Sequence, residues 1–508
     1  MAAMKPVDVA ILGGGLAGNL LARQLRRRHP DLGVLVIEPT SKTEWKVGES
    51  TVEIASDYLV RRHGLASYLY DRQLPKNGLR FFFDTPEKDT ELLAMSELGS
   101  DHIPLFPTFQ LDRARFEADL REMTRDAGAD LREGETVRQV DLGAPHTVTV
   151  RADGKDRKVK ARWVVDCTGR ARTLARTLDC STSVDHEIAA VWGRFSNVVD
   201  LDAIGDHDWR KRVRYTSRVL STNHFCYPGY WIWFIPLGQG VTSVGVVGKK
   251  SIFPRGARTP EGFQAFLNEH GAVRGLLEKA ELLDVHGFTQ LGYGTKRFFD
   301  GERRYAMIGD AAAFIDPFYS PGSDFISVQN DIVADLIRRD LVEGEKDVAS
   351  TANDYDRFMQ MRFDATLLLY QGQYDVLGSY DLMTAKWNYD LATYYNLWLD
   401  DFMTDKHLEL RHVRAQVRRK SFIIEALAAF RDRFAKAAAN TLADGRYYRH
   451  NLGMYNPGTN LDWFWRDVGT GRKRRQQNEV TARIFEAVEQ ETAWALEPAA
   501  TRKAKKRA

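Results

Sequence analysis

The chain has 508 residues and a mass of 57.8 kDa, with 72 lysines and arginines against 69 aspartates and glutamates, a net charge of +3. Hydrophobic residues at 44% and charged residues at 28% are ordinary globular composition, which excludes disordered, collagen-like and disulfide-rich classes. The small net charge argues against nucleic-acid binding as the main activity, and three cysteines without a CxxC pair (Cys167, Cys180, Cys226) leave no zinc site to read. No apolar run approaches the roughly 18 residues of a membrane span. The apolar start Val7–Leu12 has no cleavage site after it, so a soluble, cytoplasmic enzyme is expected.

In chain order, Val7 to Leu12 predicts a strand, Asn19 to His29 a helix and Gly33 to Glu38 a second strand. Between the first two lies Gly13-x-Gly15-x-x-Gly18. The first glycine permits a tight turn, the second lets the backbone approach a pyrophosphate, and the third lets the helix lie close on the strand. Leu16 and Ala17 open the helix, whose N-terminal N–H groups and dipole favour the phosphates. Glu38, closing the second strand 20 residues after Gly18, is placed to accept from ribose hydroxyls. A dinucleotide site is therefore expected.

Further on, Thr108 to Arg113 offers Gln110 and Arg113 as polar groups for the cofactor, though an ordinary helix start reads the same way. A strand at 162–165 runs into Asp166-Cys167-Thr168-Gly169, and a β-rich stretch follows over about 186–250. Another strand at 304–308 leads into Gly309-Asp310-Ala311-Ala312 and then a helix around 324–343. Asp310 beside a glycine turn suits a ribitol hydroxyl. Two such sites in one chain fit FAD better than NAD. No second complete GxGxxG exists, since Gly238-Gln239-Gly240 and Gly292-Tyr293-Gly294 read as strand turns, so the flavin must be reduced from outside by a separate flavin reductase. From about 346 the reading is helical to about 450, and Lys503 to Ala508 is a basic, disordered tail. The fold class is α/β. Residues 1–345 form an FAD module with an inserted β-sheet substrate region, and 346–508 a mainly helical C-terminal region.

Trp231-Ile232-Trp233-Phe234-Ile235-Pro236 is a complete WxWxIP, whose period of two puts both indoles on one face of a strand. By itself such a pair is more often core than catalytic. Joined to the glycine fingerprint, the chain resembles the flavin-dependent halogenases over about residues 1–330. The resemblance implies that Trp231 and Trp233 keep substrate away from flavin. It places Val47-Gly48-Glu49-Ser50-Thr51 near the flavin, with Ser50 contacting it. Glu49 is then either a catalytic base or a group positioning flavin or backbone. Leu74 to Phe83 looks like the stretch that carries the catalytic lysine in halogenases of phenols and pyrroles, and Lys76 is the candidate. Arg80 sits nearer the lysine position of the tryptophan-halogenase pattern. Asp316 to Gly322 is similar to the loop that holds halide and flavin. Ser320, Pro321, Gly322 and Ser323 are the halide candidates there, with Gly322 also touching flavin. Tyr319 stands where tryptophan halogenases have a glutamate, which points to the phenol and pyrrole branch, and Pro321 removes one N–H.

The implied chemistry is oxidation of chloride or bromide to hypohalous acid by reduced FAD and O₂. Lys76 then relays the halogen, by hydrogen bond or as a haloamine, to a phenol or pyrrole, free or tethered to a carrier protein. The aromatics of 365–402 (Tyr370, Tyr374, Trp387, Tyr394, Tyr395, Trp398 and neighbours) are either core or the lining of the substrate chamber. Arg411, Arg414, Arg418, Arg419 and Lys420 read as a solvated face or a contact for an acidic carrier. Two readings compete: an FAD monooxygenase or reductase that does not halogenate, and a non-catalytic flavin-binding protein. The complete WxWxIP and Lys76 argue against both.

Overall fold

The apolar run Val7–Leu12 becomes the central strand of a largely parallel sheet, flanked by Val34–Glu38 on one side and Lys155–Asp166 on the other. The computed structural model describes residues 6–497; the basic tail at Lys503–Ala508 lies outside the described residues. Asp130–Glu133 and Tyr305–Met307 extend the parallel core, so the predicted strands at 33–38, 162–165 and 304–308 all fall in one sheet. The first helix spans Leu16–Arg28, with Leu20, Leu21 and Leu25 buried and Arg26, Arg27 and Arg28 in its last turn, where cations oppose the helix dipole. It lies against the helices Arg113–Asp126 and Pro321–Ile337.

The stretch at 186–250 forms four strands of a nine-stranded, mostly antiparallel sheet: Ile188–Ser196, Thr222–Tyr227, Tyr230–Gly238 and Val241–Lys249. Two earlier strands join it. Leu79–Phe83 pairs in parallel with Thr222–Tyr227, and Ser96–Gly99 pairs on its outer side. The pleat separates two cores. Tyr230, Ile232 and Phe234 face one apolar cluster, while Trp231, Trp233 and Ile235 face the main core. Strand periodicity alone requires this split.

Beyond residue 346 the chain is helical as expected, with Val348–Leu368, Tyr380–Tyr394 and Lys420–Ala443. One long helix lies past the anticipated end near 450. Arg474–Leu496 is a 23-residue helix that buries Ile484, Val488 and Ala495 against Tyr380–Tyr394 and Lys420–Ala443. Its polar opening, Arg474-Arg475-Gln476-Gln477-Asn478-Glu479, masks the apolar stripe that follows. Of the basic residues at 411–420, Arg414 pairs with Asp354 and Lys420 with Asp364, both on Val348–Leu368. No helix among the described residues is long and apolar enough to cross a membrane.

The closest backbone approach in the first unit is at Gly18. A Cβ there would stand 2.0 Å from the Gly13 carbonyl oxygen, so strand and helix would have to part. Gly18→Ala is expected to lower stability by about 3 kcal/mol, read by chemical denaturation; an unchanged midpoint would refute the tight-packing account.

Candidate functional site

The glycine loop is shaped by two crowded positions and one open one. Gly13 has φ +101°, and a Cβ there would meet the Cys167 carbonyl oxygen at 2.4 Å. At Gly15 a Cβ would find Glu117 Oε2 as its nearest neighbour, 4.0 Å away. That space is a cradle bordered by backbone N–H groups of Leu16 and Ala17 at the helix start. Glu38 ties the loop down: Gly14 N–H donates to its Oε2 at 2.8 Å, and Thr40 N–H and Oγ1–H donate to Oε1 at 3.1 and 2.8 Å. Oε2 keeps a further lone pair for a ribose hydroxyl.

Arg113 stands over the cradle, donating to Glu117 and to the carbonyls of Val47 and Gly48 at 3.1 and 3.3 Å. Asp310 lies within its field. Among the described residues no group hydrogen-bonds the Asp310 carboxylate, and burial raises its pKa against the pull of Arg170 and Arg113. An unpartnered acid beside an open phosphate cradle is what a ribitol hydroxyl would satisfy. The residues present therefore fit FAD, which Gly13–Gly18, Glu38, Arg113 and Asp310 could hold.

Ser50 and Gln110 sit one layer deeper. Gln110 Nε2–H donates to Thr222 Oγ1 at 2.9 Å, and Ser50 Oγ lies 2.9 Å from the same oxygen. Lys76 completes this chain, its Nζ donating to Ser50 Oγ at 2.8 Å and to the Thr51 carbonyl at 2.7 Å. The short pairing of Leu74–Lys76 with Thr108–Gln110 fixes that register. Lys76 is 3% exposed, and burial brings its amine down to about 7, resisted by Glu53 and Asp324.

Lys76, Glu53 and Asp324 line one cavity of about 450 Å³. Burial raises the Glu53 carboxyl and pushes Asp324 up to about 7. Asp324 accepts from Ala55 N–H at 2.9 Å and from Tyr394 Oη–H at 3.0 Å. Of the aromatics at 365–402, Tyr370, Trp387, Tyr394, Tyr395 and Trp398 line the cavity, whereas Tyr380, Tyr389 and Phe402 are core and Tyr374 donates to Asp316 Oδ2 at 2.7 Å. The segment therefore divides between core and cavity wall. Ile103 and Leu105, at 74% and 70% exposure, mark the mouth. None of the lining comes from 186–250; that sheet supports the cavity from behind.

Other candidates fall elsewhere. Trp231 and Trp233 are buried in the main core and do not line the cavity. Trp231 packs edge-on against Phe318 and donates to Tyr374 Oη at 3.3 Å, and Trp233 donates to Ser243 Oγ at 3.2 Å. Glu49 is buried at Arg194, 3.1 Å from its Nη2, away from the cavity. Arg80 is wholly buried in an ion pair with Glu97, which Arg218 also grips at 2.8 Å.

In the loop before Pro321–Ile337, Ser320 is left-handed (φ +57°) and its N–H donates to the Pro317 carbonyl at 2.9 Å. Pro321 has no N–H. Of the four halide candidates, Gly322 and Ser323 stand in the first turn of a 17-residue helix, where N–H groups have no partner within the helix and the dipole is positive. A Cβ at Gly322 would meet nothing within 4 Å. Sequence reasoning missed Glu53, Asp324 and Arg362 as site residues. A single acid or arginine in a helix carries no local signal, although Glu53 lies only four residues after Glu49.

Residues 6–323 match the FAD binding domain family. A flavin-dependent halogenase of Dictyostelium discoideum, chlA, is 27% identical over 435 residues, spanning 79% of this chain and 71% of that protein. The 1H-pyrrole-2-carbonyl-(peptidyl-carrier protein) chlorinase of Pseudomonas fluorescens is 27% identical over 342 residues, 62% of this chain and 72% of that one. The crystal structure of halogenase PltM with phloroglucinol and FAD superposes with a TM-score of 0.71 at 16% identity, covering 96% of each chain. That likeness establishes the fold.

Gly15→Val would put a side chain into the cradle at a position where a Cβ meets no protein atom closer than 4.0 Å. It is expected to leave the melting temperature near wild type while abolishing FAD retention on gel filtration; a variant that keeps FAD would show that the pyrophosphate lies elsewhere.

Proposed function

Because this chain belongs to the FAD binding domain family and, within it, to the flavin-dependent halogenases, we propose that it halogenates an electron-rich aromatic of the phenol or pyrrole type, with Lys76 as the group that carries the halogen. One observation carries the reading: a buried amine, brought down to about 7, faces an aromatic-walled cavity together with two acids. Bound reduced FAD, with O₂, supplies the oxidising equivalent that turns chloride or bromide into hypohalous acid. Gly322 and Ser323 hold the halide through their N–H groups. A separate flavin reductase keeps the cofactor reduced, since one dinucleotide fingerprint serves one dinucleotide.

The neutral Lys76 amine attacks the halogen of hypohalous acid. An N–halogen bond forms, the halogen–oxygen bond breaks, and hydroxide leaves with the amine proton as water. The ring then attacks the halogen, the N–halogen electron pair returns to nitrogen, and the Glu53 carboxyl, raised by burial, gives that nitrogen a proton and so restores the amine. Glu53 takes the displaced ring proton. No side chain hydrogen-bonds its carboxylate among the described residues, whereas Asp324 is committed to Ala55 and Tyr394. Trp231 and Trp233 support the wall behind Phe318, a packed layer that substrate cannot enter. In this reading residues 1–345 carry the flavin and 346–508 close the chamber over the aromatic. The pyrrole-carrier halogenase and the phloroglucinol-bound halogenase among the similar proteins support a small aromatic substrate, free or tethered.

Lys76→Ala and Lys76→Met should leave FAD binding and halide oxidation intact while substrate halogenation is lost. Lys76→Arg should fail as well, because guanidinium stays protonated. Free hypohalous acid should then accumulate in a thiol trap; an alanine variant that still halogenates removes Lys76 from the mechanism.

The depressed value also sets a pH profile. Below about 7 the amine is protonated and cannot attack, so single-turnover halogen transfer should climb between about pH 6 and about pH 8 and then level off. A rate that falls over that interval would show Lys76 acting as a charged hydrogen-bond donor instead.

A further inference from the structure

Another part of the cavity wall is built to receive a negative charge. Arg362, on Val348–Leu368, lines the cavity and is 4% exposed. Its Nη1 is fully buried without an acceptor, and among the described residues no carboxylate comes within ion-pairing distance of the guanidinium. The acids in its field are engaged elsewhere. Asp401 is held by His412 at 2.9 Å and Arg474 at 2.7 Å, and Asp324 by Ala55 and Tyr394. Burial lowers Arg362 to about 10, so it stays charged at neutral pH. Beside it, 5.9 Å from its guanidinium carbon, lies the ring of Trp398, which also lines the cavity and whose Nε1–H is a second buried donor with no acceptor.

A buried guanidinium without a partner is costly, and nothing in the protein offsets it. Two such donors in one cavity wall call for an oxygen-rich acceptor from outside. A carboxylate matches: it is planar, and it takes the guanidinium fork through two oxygens while the Trp398 N–H offers a further donor. A carrier thioester offers one neutral carbonyl and leaves the charge unanswered.

We propose that Arg362 and Trp398 form the subsite for an ionised carboxylate on the aromatic substrate, so that this chain takes an aromatic acid in free form rather than as a carrier thioester. That the acid is a substrate rests on the halogenase reading; that it binds does not. Asp324, which lines the same cavity, lies within the field of both Lys76 and Arg362. Arg362 holds the acid while Lys76 reaches the ring.

The test uses the FAD-loaded full chain, with hydroxybenzoate isomers and their methyl esters as probes and binding followed by calorimetry. At least one acid should bind about tenfold or more tightly than its ester. Arg362→Met should erase that difference and melt no lower than wild type, since it removes an unpaired buried charge at similar length. Trp398→Phe, which keeps an aromatic ring but loses the N–H donor, should weaken the acid severalfold more than the ester, and it serves if Arg362→Met does not fold. Equal binding of acid and ester, no binding of any acid, or an acid preference that survives both variants would overturn the proposal. So would variants that alter only the halide requirement. Acid-selective binding without halogenated product would keep the subsite and sink the halogenase reading; equal halogenation of acids and esters would do the reverse.

Discussion

Removing an amine from water governs this molecule. Lys76 is satisfied by Ser50 and the Thr51 carbonyl, and those two residues are in turn fixed by Thr222 and by the strand Thr108–Gln110. The amine is therefore held by groups from the flavin segment and the nine-stranded sheet together. Any shift between them would strand a buried donor, an outcome costly enough to keep the two in register. The helical region contributes what these units lack, a roof of aromatic rings that keeps the cavity poor in water and so keeps the amine in its depressed range.

The acids around the cavity follow from the same constraint. Glu53 and Asp324 are both shifted upward by burial, and each favours the charged form of Lys76. Three groups that would ionise independently in water share their protons here, and their titration belongs to the cluster. Arg362 shows the opposite case. Its charge cannot be given up at neutral pH, so it waits for a partner instead of changing state.

Much of this was legible in the sequence. The strand, glycine turn, helix and second strand at residues 7–38 follow from local periodicity and from steric demands that only glycine meets, and the structure reproduces them within a few residues. The alternation of Trp231 and Trp233 was equally plain, and the pleat sends both to the same core. Their surroundings were not, because what stands opposite a strand face depends on contacts such as Phe318 that are distant in sequence. Lys76 could be singled out by its segment. Glu53, Asp324 and Arg362 could not, since one polar residue in a helix says nothing of which cavity that helix will border. The helix Arg474–Leu496 escaped because its polar first turn hides the stripe behind it.

Ser320 has a consequence of another kind. A serine in the left-handed region is disfavoured, and a proline directly after it narrows its choices further. The loop has few other shapes to visit, since its N–H is tied to Pro317 and the ring of Pro321 starts the helix at a fixed angle. The first-turn N–H groups of Gly322 and Ser323 are thus held in one orientation. Folding has already spent the ordering entropy of this loop, so any acceptor that meets these donors finds them already organised.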